Sequence, residues 1–286
     1  MKIQVENLDY VYNPDTPLEI KALEAISFGL SAGTFIGILG GTGSGKTTLV
    51  RNLNGLLTPT RGRVLLDGTD IRSYGPGLRL RVGVVFQRPE RQLFEETVFG
   101  DISFVLRRSS NLSRAEIGNK VRNACGLVGL NIDEIGQRSP MSLSDGAKRK
   151  VAIAGILVNQ PEVLILDEPA VGLDPPSLAD LIRALEEMKR TRDKTVVIVS
   201  HDMEPFLPLL DLMMVLKQGR IAALGSPSEV CEALEKDPAT RELLPELALL
   251  VHDLRKAGVP LAPDEFRIPI LIERLVTLKK LSGGAA

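Results

Sequence analysis

Eight residues, Gly40-Gly41-Thr42-Gly43-Ser44-Gly45-Lys46-Thr47, constrain this chain more than any other stretch of it. They lie between an aliphatic run, Phe35 to Leu39, and a helix-forming run, Lys46 to Leu56. Glycine lets a backbone curl until successive N–H groups converge on one anion, with no side chain in the way. A helix leaving such a loop adds the partial positive charge of its N-terminus at the same point. The pattern G-x-x-x-x-G-K-[ST] between a strand and a helix therefore reads as a phosphate cradle. Lys46 reaches the β- and γ-phosphates, the Thr47 hydroxyl ligates Mg²⁺, and Thr48 extends the cradle into the helix.

The rest of the chain supplies a fold to match. Val82 to Phe86, Val163 to Leu166 and Val196 to Val199 are short and aliphatic, as strands buried on both faces are. Helical stretches, Arg114 to Val128, Ala147 to Val158 and Leu178 to Lys189, lie among them. This alternation predicts an α/β domain with a mainly parallel sheet flanked by helices. The first 30 residues and Arg61 to Leu66 read instead as antiparallel strands of a smaller β layer. Past about residue 235 the composition changes. Five prolines fall between Lys236 and Ile270, and helical periodicity returns in Leu247 to Lys256 and Ile270 to Leu281. A small helical extension with proline-set corners is expected there, ending in a frayed SGGAA.

Composition narrows the function. With 286 residues the chain is one large domain or two modest ones and can bury a full core. Lys plus Arg number 35 against 36 Asp plus Glu, a balance that argues against a nucleic-acid partner. No apolar run approaches the ~18 residues needed to span a bilayer. MKIQVENLDY has no apolar signal core, so a cytosolic protein is expected. Cys125 and Cys231 lack ligand spacing and read as buried thiols. His252 reads as a surface or packing residue.

Val163-Leu164-Ile165-Leu166-Asp167-Glu168 ends a strand on two acids, where sites in parallel sheets lie. Asp167 is placed to hold the Mg²⁺ shell. Glu168 is placed to accept a proton from attacking water. The run Thr195 to Ser200 ends at the same edge on His201-Asp202, so His201 is expected to touch the γ-phosphate or the water.

Together these residues resemble the nucleotide-binding subunit of ABC transporters. GGTGSGKT resembles Walker A, VLILDE resembles Walker B, Gly172-Leu173-Asp174 the D-loop, Ser200-His201-Asp202 the switch histidine and Gln87 the Q-loop glutamine. Leu143-Ser144-Asp145-Gly146-Ala147 stands where LSGGQ is expected. The segment Phe86 to Val98, the early YVYNPDTPLEIKALEAISF and Val151 to Gly155 are similar to energy-coupling factor (ECF) transporter ATPases, and the long insert after Tyr12 favours their second ATPase type. A C-terminal extension of this size is also similar to theirs.

The resemblance implies a P-loop core over residues 1–235, with a helical subdomain at about 88–160 and a dimerising extension over 236–286. It implies ATP and Mg²⁺, with Tyr12, rather than Tyr10, stacking on adenine, and Gln87 beside the metal. Ser144 and Gly146 would donate to ATP bound on a second ATPase subunit, in a heterodimer by preference and in a homodimer as the alternative. Gln87 to Phe94, with apolar Leu93 and Phe94 beside Arg88 and Arg91, would receive a helix of a membrane scaffold at the cytoplasmic face of the membrane. A substrate-capturing membrane protein would join indirectly. The activity implied is ATP hydrolysis driving a vitamin or cobalt/nickel importer. A non-ECF ABC importer or exporter is the alternative. More distant ones are DNA-repair ATPases, which insert long coiled coils, and translation ATPases, which carry two phosphate loops. Asp145 and Ala147 depart from LSGGQ. Asp145 either faces the phosphate, disabling one site of a heterodimer, or turns outward as a helix cap.

Overall fold

The structure is a computed structural model describing residues 1–109, 111–235, 241–262 and 264–283. The expected corners at Pro238 and Pro263, and the last three residues, lie outside them. In chain order the first half comprises β1 (Ile3–Tyr12), β2 (Ile20–Leu30), β3 (Phe35–Leu39), α1 (Lys46–Leu53), β4 (Arg61–Leu66), β5 (Thr69–Asp70), α2 (Leu78–Arg81) and β6 (Val82–Val85). A helical stretch follows: α3 (Val98–Ser109), α4 (Arg114–Leu127), α5 (Ile132–Ile135) and α6 (Asp145–Leu157). Then come β7 (Val163–Asp167), α7 (Pro175–Thr191), β8 (Thr195–Val199), β9 (Leu212–Lys217), β10 (Arg220–Gly225) and α8 (Pro227–Leu234). Two C-terminal helices, α9 (Glu246–Lys256) and α10 (Ile268–Gly283), complete the described chain.

The strands form two sheets. An antiparallel sheet runs β2-β1-β4-β5, and a six-stranded one runs β10-β9-β3-β8-β7-β6, parallel except for β10. The alternation read from the sequence is thus the α/β fold observed. Side chains alternate across the large sheet and are buried on both sides. Phe35, Leu39, Leu164, Leu166, Val196 and Ile198 face the helices, whereas Ile36, Ile38, Val163, Ile165, Val197 and Val199 face α1 and the small sheet. Each such side chain contributes about 1.5–3 kcal/mol on burial, which is why these strands contain almost nothing polar.

Register sets the site. Ile38 pairs with Val199, and Asp167 pairs with Val199 from the other side. The chain therefore leaves β3, β7 and β8 at one level, bringing the glycine loop, the acid pair and Ser200-His201 to a single edge. The C-terminal segment packs on the same body. Ala248 and Val251 of α9, with Leu261, Phe266 and Leu271, join the helix-side core. His252 is a packing residue, buried and bonded to Glu235, whose carboxyl Lys256 and His252 hold down at about 2. Cys125 and Cys231 are buried, and burial raises both thiols to about 12.

Candidate functional site

The glycine loop is specified sterically. A side chain at Gly40 would lie 2.4 Å from Ser44 Oγ and 2.5 Å from the Leu216 carbonyl. Gly45, the N-cap of α1 at φ +103°, would strike the Ala22 carbonyl at 2.7 Å. Gly43 is in the left-handed region at φ +77°, while Gly41 and Thr42 are exposed. Ser44 is buried, and its Oγ has no hydrogen-bond partner among the described residues. A buried donor at the centre of a curled backbone fits an anionic oxygen. The Gly40→Ala variant should therefore lose nucleotide binding by at least ~10-fold, because a rigid backbone carbonyl must move. Titration calorimetry checks this, and wild-type affinity would show that the loop yields.

Lys46 Nζ curls over the loop and donates to the Gly40 and Gly41 carbonyls at 2.6 and 3.1 Å. Burial lowers its pKa, and the charges of Glu168 and Asp167 oppose that effect. Asp167 is raised by burial and by Glu168, with Lys46 and Arg51 opposing. One ammonium and two carboxylates thus share a poorly solvated locus at the strand ends. The oxygen donors at hand, the Thr47 hydroxyl and the Asp167 carboxylate, suit a hard cation such as Mg²⁺ that keeps most of its other ligands from phosphate and water. Thr48 is buried behind the loop, its hydroxyl 3.2 Å from the Tyr12 hydroxyl. Tyr12 in turn meets Tyr10 edge-on, with ring centroids 4.8 Å apart. Tyr12 is therefore the aromatic fixed beside α1.

Glu168 leaves β7 at φ +52°, a left-handed conformation costing a non-glycine residue roughly 1–2 kcal/mol. Its neighbours hold it there. Its N–H donates to the Val199 carbonyl at 2.7 Å. Its carboxylate accepts from Ser200 Oγ at 2.9 Å and from the His201 N–H at 3.1 Å, and contacts His201 Nδ1 at 2.8 Å. The His201 ring stays largely exposed. A buried acceptor beside an accessible imidazole is an arrangement that can take a proton from water.

The other expected residues form a second cluster. Gln87 is exposed and shares a cleft of about 400 Å³ with Glu90, Asp145, Arg149 and Gly172. Ser144 is the N-cap of α6, its Oγ accepting from the Ala147 N–H at 3.3 Å. Gly146 lies near the D-loop, where an added Cβ would be 3.7 Å from Asp174 Oδ1. Among the described residues, no hydrogen bond or ion pair joins residues 144–147 to the glycine loop.

Two expectations are corrected. Asp145 does point outward, 90% exposed and paired with Lys148 at 3.2 Å, but it is not the helix cap. Ser144 takes that position, leaving Asp145 in the first turn and starting α6 two residues before the expected Ala147. Leu93 does not share an exposed surface with Phe94. After the short 3-10 turn Pro89–Gln92 the backbone is extended, so adjacent side chains point opposite ways. Leu93 enters the helix-side core, whereas Phe94 is 64% exposed against Phe104.

Two contributors escaped the sequence reading. Ser200 stands in the sequence only as part of a motif, yet its hydroxyl donates to Glu168. Arg149, between two lysines in α6, looks like one of a solvated run, but it is 6% exposed and donates to the Glu168 and Val171 carbonyls.

The family model described as ABC transporter matches residues 23–171. The chain belongs to the ABC transporter family. Within it the chain falls with energy-coupling factor ATP-binding proteins of the EcfA2 type. It is 42% identical over 271 residues to the Caldanaerobacter subterraneus protein named "Energy-coupling factor transporter ATP-binding protein EcfA2", with 94% of each chain covered. The Clostridium perfringens protein of the same name is 38% identical, with 97% of this chain and 98% of that one covered. Among solved structures, cbiO1 of Clostridium perfringens, described as part of the ABC transporter complex cbiONQ, superposes with a TM-score of 0.72 at 36% identity, covering 90% of this chain and 96% of that one. The dimeric MJ0796 cassette, at 24% identity and a TM-score of 0.70, shows the fold alone. As an ABC ATPase of this type, the chain binds ATP and couples its hydrolysis to transport. No helix among the described residues is long and apolar enough to cross a membrane.

Proposed function

We propose that this chain is one of two non-identical ATPase subunits at the cytoplasmic face of an ECF-type importer. ATP lies with its phosphates over residues 40–48 and its adenine against Tyr12. Thr47 and Asp167 would hold Mg²⁺, with Gln87 reaching it from the neighbouring cleft. Glu168 takes the proton of the attacking water, with His201 positioning water or γ-phosphate. Ser144 and Gly146 reach ATP on the partner ATPase, and the 236–286 extension joins the two. The observation that carries this reading is the Glu168 carboxylate, held by Ser200 and His201 at the same sheet edge as the Lys46 loop. A vitamin or a cobalt or nickel ion fits such an importer, and its identity is read by membrane proteins, not by this chain. The test is Mg²⁺-dependent ATP hydrolysis by the purified assembly, and no turnover with Mg²⁺ present would overturn the reading.

Docking is assigned to the Gln87–Phe94 segment, with Phe94 as its apolar contact. Phe94→Asp should leave the fold and ATP binding intact while abolishing co-purification with the membrane scaffold, since an unpaired buried carboxylate costs several kcal/mol. Leu93→Asp serves as the contrast. It places that carboxylate in this chain's own core and should lower thermal stability instead. Normal assembly of the Phe94→Asp variant would remove this segment from the interface.

A further inference from the structure

Arg149 is the one buried lysine or arginine among the described residues. It comes from α6, in the helical layer, but its contacts lie on the turn after β7. Nη2 donates to the Glu168 carbonyl at 2.9 Å, and Nη1 donates to the Val171 carbonyl. The Val171 N–H also reaches the Glu168 carbonyl, at 3.3 Å. The guanidinium thus closes the turn from Glu168 to Val171, and a planar fork suits two carbonyls better than an ammonium does.

That turn decides where Glu168 points. At φ +52° the side chain leaves the line of β7 and reaches Ser200 and His201. A left-handed residue other than glycine persists only where its surroundings over-determine it. Arg149 is one of those surroundings, together with the Val199 carbonyl. Its own charge is answered by Glu90, on the short turn Pro89–Gln92 packed against α6. Glu90 and Arg149 line the same cleft, and the Glu90 charge opposes the lowering that burial imposes on Arg149. Glu90 Oε2 and Arg149 Nε are both buried without a hydrogen-bond partner among the described residues.

We propose that Arg149 is a positioning residue for ATP hydrolysis: by holding the carbonyls of Glu168 and Val171 it fixes the backbone from which the Glu168 carboxylate meets the attacking water. The inference rests on the reading of Glu168 as the base. It also ties the helix that opens with Ser144 and Gly146 to the residue that takes the proton.

The test uses the assembled ATPase pair, with Arg149→Met, Arg149→Lys, Glu168→Gln and the double variant Glu168→Gln/Arg149→Met. Methionine keeps the length and removes every donor. Arg149→Met should lower kcat by ~10-fold or more, the scale of a misaimed catalytic group, with ATP affinity within ~3-fold of wild type. Arg149→Lys, which retains a single donor nitrogen and the charge, should recover part of the rate. In the Glu168→Gln background Arg149→Met should change nothing further, because its effect passes through Glu168. An unchanged kcat in a folded Arg149→Met protein overturns the proposal. So does an additive loss in the double variant, or failure of both Arg149 variants to fold. A wild-type rate in Glu168→Gln alone identifies a failure of the base assignment instead.

Discussion

Replacing Glu168 by glutamine should lower ATP turnover at least ~10²-fold while leaving ATP and Mg²⁺ binding in place. Glutamine matches the carboxylate in shape and can still meet Ser200 and His201, but its amide cannot take a proton from water at neutral pH. The loop that grips the phosphates is untouched, so binding and chemistry separate. Lys46→Ala should show the opposite pattern. It removes the ammonium that sits over Gly40 and Gly41 and that balances Asp167 and Glu168, so nucleotide affinity itself falls. Equilibrium binding alongside steady-state hydrolysis distinguishes the two. Wild-type turnover in Glu168→Gln would mean that another group takes the proton.

The second large effect concerns Asp145. At the first turn of α6 it occupies the positive end of the helix, a placement worth about 0.3–1 kcal/mol to the subunit by itself. In the proposed closed pair, the N–H groups of that same turn are the ones offered to ATP on the partner. A carboxylate about 6 Å from a phosphate charge repels it by ~3 kcal/mol at an effective dielectric near 20, a factor of about 100 in binding or rate. It points outward in the single subunit, where its exposed carboxylate pairs with Lys148 among the described residues, and that exposure leaves it free to turn toward a phosphate in a closed pair. Asp145→Gly combined with Ala147→Gln should therefore speed hydrolysis at the site completed by this chain's α6, and lower the melting temperature slightly. Site-resolved single-turnover assays read the first effect and calorimetry the second. An unchanged rate at that site would place the Asp145 carboxylate away from the phosphate in the closed pair.

The parts of the site legible in the sequence were those whose chemistry is local. Four glycines, a lysine and a threonine form a cradle wherever a strand and a helix flank them, and two acids ending an aliphatic strand lie at its tip by construction. What escaped depends on contacts between distant segments. Arg149 reads as one of three consecutive basic residues, and only the packing of α6 against the β7 turn buries it. Leu93 and Phe94 are both apolar neighbours, and which of them is buried follows from the backbone left by the preceding turn. Helix α1 stops at Leu53 rather than Leu56 because Gly55 takes φ +70° there. The serine before Asp145 takes the cap because its hydroxyl accepts from the third N–H of the helix, a contact that depends on where the helix starts.

The most direct measurement is kcat for ATP, with Mg²⁺ present, of this subunit purified alone and of the same subunit combined with its partner ATPase, at equal concentrations of this chain. If its intact loop, Glu168 and His201 need a partner's unaltered signature, the pair turns over ATP at least ~10-fold faster than the subunit alone, because two copies of this chain build only sites completed by Asp145. Equal, cooperative turnover by the subunit alone would contradict that scheme.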